Sequence, residues 1–99
     1  MGKLVRDKIP SIIGPSCKYR VLNDEEYEEE LYKKLLEEVN EFLEDTSSLE
    51  EIADIFTVLS TICDFKGISN YALSMAIAKK ADEKGLFEER YYWEGIDET

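Results

Sequence analysis

The chain has 99 residues, 43% of them hydrophobic and 35% charged, which is the size and composition of one folded domain rather than a disordered segment. Its net charge of −11 argues against a surface built to hold nucleic acid, although divalent cations can reverse the local sign for a small anionic substrate. There is no histidine, so imidazole is excluded as acid, base or metal ligand.

Residues 1–22 contain both prolines and Gly14, with short apolar runs, and read as an extended or irregular arm with a helical turn around Ile9 to Ile13. Asn23, followed three positions later by Glu26, opens a helix expected to run to about Asp45, with acids in the first turn complementing the helix dipole. Ser48 with Glu51 opens a second helix ending near Lys66, with Gly67 as its stop. The short link from Asp45 to Ser48 makes these two helices antiparallel neighbours. A third helix starts at Ser69 or Asn70 and ends at Gly85; Leu86 to Trp93 is aromatic and reads as a short helix or a strand. The expected architecture is all-α, an antiparallel helical bundle with its core over 23–93, the arm at 1–22 and a frayed tail at 94–99.

No stretch approaches the roughly 20 apolar residues of a membrane span, and the first ten residues lack the apolar centre of a signal peptide. Cys17 and Cys63 lie far apart in sequence and read as reduced thiols, which together with the missing signal points to a cytoplasmic protein with no membrane partner.

Most acids fit a solvated helix face; four do not. At about 100° per residue, Leu31, Leu35, Val39, Phe42 and Leu43 fall within one arc of the first helix, with Glu38 and Glu41 at its edge and Glu37 on the opposite face. In the second helix the apolar residues from Leu49 to Phe65 fill an arc of about 200°. Glu51 projects into that arc between Val58 and Ile62, and Asp54 lies at its border beside Phe65. A carboxylate facing an apolar region needs a basic partner, a shared proton or a cation. Glu38 with Glu41, and Glu51 with Asp54, are pairs three apart, so each pair leaves one helix face and both can converge on one locus. All-oxygen donors suit Mg²⁺, or Mn²⁺, better than zinc. The competing reading is a buried Glu–Lys network through Lys79 or Lys80.

These residues also carry a family resemblance. Glu37-Glu38-Val39-Asn40-Glu41, followed by Glu51-Ile52-Ala53-Asp54, resembles the EExxE and ExxD signature of the MazG-like nucleoside triphosphate pyrophosphohydrolases. The opening Lys3-Leu4-Val5-Arg6-Asp7-Lys8-Ile9-Pro10 resembles the start of a small single-domain, MazG-related subgroup, and the stretch from Lys80 to Phe87 resembles a segment that follows the third helix in relatives. Relatives often carry Gly-Gly-Phe where this chain has Gly85-Leu86-Phe87, and a longer gap between the acidic motifs.

The resemblance implies Mg²⁺-dependent cleavage of a nucleoside triphosphate between the α and β phosphates, giving monophosphate and pyrophosphate in the service of nucleotide-pool housekeeping. It implies metal binding by Glu38, Glu41, Glu51 and Asp54, with Glu38 or Glu41 taking the proton of the attacking water. Arg6, Lys8, Lys80 and Lys84 are the candidate phosphate contacts, and Tyr71, Phe87, Tyr91 and Trp93 are candidates for base stacking, core or interface. The second helix is apolar over more of its circumference than one packed layer requires, so a homodimer or dimer of dimers is expected. Two alternatives remain at this level: hydrolysis of phosphoribosyl-ATP, and a non-enzymatic acidic helical adaptor.

Overall fold

Each long helix begins where a short polar side chain can accept the bond of an otherwise orphaned backbone amide. Asn23 Oδ1 accepts from the Glu26 amide at 2.9 Å, Ser48 Oγ from the Glu51 amide at 3.3 Å and Ser69 Oγ from the Ala72 amide at 3.1 Å. In the computed structural model, which describes residues 2–96, these caps open α2 (Asp24–Glu44), α3 (Leu49–Phe65) and α4 (Asn70–Lys84), after a five-residue α1 (Ile9–Ile13). No strand occurs among the described residues, so the fold is all-α as expected. Gly67 and Gly85 follow α3 and α4 with φ of 72° and 80°, left-handed conformations that glycine enters without a Cβ penalty. The Asn23 cap is not reciprocal: the Glu26 carboxylate turns instead to Arg20, with bonds of 2.6 and 3.1 Å.

The chain divides into two compact units, the first ending at Gly67 and the second beginning at Ile68. In the first, α2 and α3 form an antiparallel hairpin. Tyr27 near the start of α2 meets Phe65 at the end of α3, edge to face with centroids 5.4 Å apart, while Glu41 and Glu51 meet beside the connecting loop. The core is thin: Leu31 is 2% exposed and Val58 8%.

The direction of packing differs from the apolar arcs. On α2 the buried line runs through Leu31 and Glu38, flanked by half-buried Tyr27, Lys34 and Glu41, while Leu36 and Leu43 stand exposed. Glu38 is therefore at the centre of the buried face, not at its edge. Lys3 to Ile9, with Ile12 and Ile13, line one groove with Tyr27, Leu31, Lys34, Glu38 and Thr57, so the acidic side of α2 has the arm as a neighbour that helix periodicity does not encode. On α3 the arc of about 200° splits in two. The part through Val58, Ile62 and Phe65 faces α2, whereas Phe56 (68% exposed) and Leu49 (78%) belong to an open apolar face.

The second unit comprises α4 and the residues after it. The stretch from Leu86 to Trp93, expected to be a short helix or a strand, is neither; it runs through bends and turns. Tyr71, Phe87, Tyr91 and Trp93 are all exposed, so none of them fills a core in this unit. Of the tail expected to fray, Glu94 to Ile96 lack regular structure and 97–99 lie outside the described residues.

Removing a side chain from so small a core should be felt strongly. Leu31→Ala is expected to lower the unfolding free energy by about 2–5 kcal/mol, and Asn23→Ala by about 1 kcal/mol through loss of the α2 cap, both read by urea denaturation.

Candidate metal centre

Where the end of α2 meets the beginning of α3, three carboxylates converge. One oxygen from each of Glu38, Glu41 and Glu51 lies within 4.8 Å of the others. The local sequence makes this happen. Glu38 and Glu41 share a face of α2 because they are three apart, and the four-residue link returns α3 directly against that face. Ser48 then fixes the first turn of α3, which places Glu51 at a helix N-terminus, where the dipole favours negative charge.

The group lacks internal compensation. Glu38 is 5% exposed, and its Oε2 has no hydrogen-bond partner; Glu51 Oε2 is likewise buried without one. Loss of water pushes the Glu38 pKa up, the neighbouring Glu41 pushes it further, and Lys34 opposes both. Loss of water also raises Glu51, reinforced by the charges of Asp54 and Glu38.

Within the first unit, Lys34 is the lysine that reaches this cluster; Lys79, in the second unit, lies 4.0 Å from Glu83 on its own helix. Lys34 Nζ is 3.3 Å from Glu38 and 2.9 Å from Glu37. Desolvation disfavours its charge, but hydrogen bonds to Glu37 and Glu38 outweigh that and hold its pKa above the ordinary lysine value. One ammonium shared between two acids does not neutralise four carboxylates. Glu37, expected to face solvent, is half-buried, and Lys34 together with Lys3 at 3.6 Å holds its pKa low.

Asp54 is outside the triad. Its Oδ1 accepts a 2.6 Å bond from Arg6 Nη2, so the arm occupies it. Arg6 and Lys8 line the groove together with Lys3 and Lys34, giving four cations around an open volume of about 840 Å³ into which Glu38 and Asp54 also face. Ile9, Tyr27, Leu31 and Val58 supply its apolar wall. Lys80 and Lys84 belong to α4 in the second unit, where they line a smaller hollow with Ile77 and Phe87. Sequence reasoning missed Lys3 and Lys34. Lys34 was detectable as the residue four before Glu38, a spacing that places both on one helix face.

The donor set fits a hard divalent cation. All of its atoms are carboxylate oxygens, they converge, and two buried ones have no other partner. Both cysteines are free thiols, and among the described residues no helix is long and apolar enough to cross a membrane. Comparison of the chain with protein-family models, curated proteins and solved structures finds no match.

The raised pKa values fix a sign. A carboxyl that holds its proton more tightly in the folded chain stabilises it below the unfolded pKa, and that contribution is lost as pH rises through the folded pKa. Without metal, the melting temperature should therefore rise as pH falls from about 7 to about 5, a trend that Glu51→Gln should flatten. At neutral pH, Glu38→Gln should raise the metal-free melting temperature while weakening the gain from added Mg²⁺ or Mn²⁺ in a thermal-shift titration.

Proposed function

We propose that this chain is a Mg²⁺-dependent nucleoside triphosphate pyrophosphohydrolase of the MazG-like kind, acting in nucleotide-pool housekeeping. The observation that carries the reading is the convergence of buried Glu38 with half-buried Glu41 and Glu51, two of whose oxygens are buried without partners, beside a groove lined by Lys3, Arg6, Lys8 and Lys34. The acids suit a cation and the bases suit phosphate oxygens. A metal–polyphosphate complex presents both. The motifs around Glu38 and Glu51 resemble that family's and point to the bond between the α and β phosphates.

In this reading Glu38, Glu41 and Glu51 hold the cation, with Asp54 as a fourth acid when freed from Arg6. Bound Mg²⁺, or Mn²⁺, would supply charge neutralisation of the triphosphate and activation of water near neutral pH. The chain's own groups do the rest. Glu38 or Glu41 accepts the proton of the water that attacks phosphorus. Arg6, Lys3 and Lys8 orient the phosphates in the groove, and Arg6 can grip two phosphate oxygens at once. Lys34 holds Glu37 and Glu38 in register from the floor. Lys80 and Lys84 remain proposed phosphate contacts from the resemblance.

Phe56, Leu49, Leu36 and Leu43 leave the hairpin with an apolar surface that a second copy of the chain would cover, as a homodimer or dimer of dimers in the cytoplasm. An adaptor that uses its acids to bind a basic partner would instead present them to solvent, and Glu38 is buried.

Incubated with a panel of triphosphates and Mg²⁺, the protein should release pyrophosphate and the monophosphate, and Glu51→Gln should reduce the rate by at least about 100-fold. Equal release by both proteins, or none from any nucleotide or phosphoribosyl-ATP, would sink the assignment. Phe56→Glu should shift the sedimenting species toward monomer; an unchanged mass would remove the apolar face from the interface.

A further inference from the structure

Arg6 bonds an acid of the candidate metal centre while itself lining the groove. We infer that Arg6 and a divalent cation exchange at Asp54: metal arrival takes the carboxylate and releases the Arg6 guanidinium to the groove, where it receives an anionic phosphate. The inference rests on the metal reading of the triad and adds an order of events to it.

Asp54 stands one turn after Glu51 on α3, so the two carboxylates leave the same face, and the Asp54 charge already acts on Glu51. The pair with Arg6 is short at 2.6 Å, yet Arg6 is 58% exposed and Asp54 33%. Exposed ion pairs are weak, which makes this one exchangeable. Arg6 precedes α1 outside any regular element, and its carbonyl accepts a bond from the Ile9 amide at 3.0 Å. That bond anchors the backbone and leaves the side chain free to swing. Lys3 and Lys8 flank it along the same groove, so a released guanidinium joins an existing cationic lining.

The arrangement makes the phosphate site conditional on the metal site. While Asp54 is uncoordinated, Arg6 is held on it; once Asp54 is coordinated, Arg6 contributes to anion binding. By reciprocity, phosphate on Arg6 then favours metal on Asp54.

Calorimetric titration of the full chain with Mn²⁺ alone tests the exchange. Arg6→Ala should bind Mn²⁺ about two- to fivefold more tightly than wild type, the range expected for losing one exposed competing pair. In an Asp54→Asn background the same substitution should change nothing. Unchanged or weaker binding by Arg6→Ala overturns the exchange and leaves the metal reading standing. So does a gain that persists with Asp54→Asn, because removal of a nearby positive charge would then explain it. No Mn²⁺ binding by wild type, with Glu51→Gln indistinguishable from it, removes the metal reading itself.

Discussion

Three carboxylates held together between two helices are the constraint to which the rest of the first unit answers. The α2–α3 hairpin buries few residues, and one of the most buried is Glu38, an acid with an unpartnered oxygen. An uncompensated charge in such a place opposes folding, so the surrounding structure is organised to reduce its effect. Ser48 starts α3 beside the cluster and brings a helix N-terminus to Glu51; Lys34 bridges Glu37 and Glu38; Arg6 pairs with Asp54. Each device removes part of the repulsion. None supplies a partner for both orphaned oxygens.

The arm is what converts a pair of amphipathic helices into a site. It lines the groove on the side of α2 that carries Glu38, while Leu36 and Leu43 stand exposed. The arm also carries three of the four groove cations. The concentration of positive charge next to the acids thus comes mainly from the arm.

Sequence alone disclosed the helices well because their ends are written locally: Asn23, Ser48 and Ser69 as caps, Gly67 and Gly85 as stops. Glu51 was legible for a similar reason, since nearly every apolar side chain of α3 flanks its direction. Glu38 was misjudged as a border residue because its surroundings include tertiary neighbours from α3 and the arm, which helical periodicity does not encode. The Arg6–Asp54 pair, forty-eight positions apart, was invisible on the same grounds. The aromatic run after α4 misled in the other direction: Phe87, Tyr91 and Trp93 have the composition of a strand or core segment but lie exposed without regular structure. Aromatic content signals a demand for burial and does not specify what meets it.

Electrostatics narrows the chemistry of a ligand for the groove. A free anion entering it meets Lys3, Arg6 and Lys8 but also the buried charge of Glu38, whereas a free divalent cation meets the triad but also those same bases. Either alone leaves one set of like charges opposed. A polyanion carrying its own divalent cation would offer each set a group of opposite charge. The close approach of the two sets also bears on the overall charge of −11: the chain is strongly acidic, yet the wall presented to a ligand's anionic part is locally basic. The net charge therefore disfavours extended polyanions over the whole surface, while the groove sets a local basic lining beside the acids.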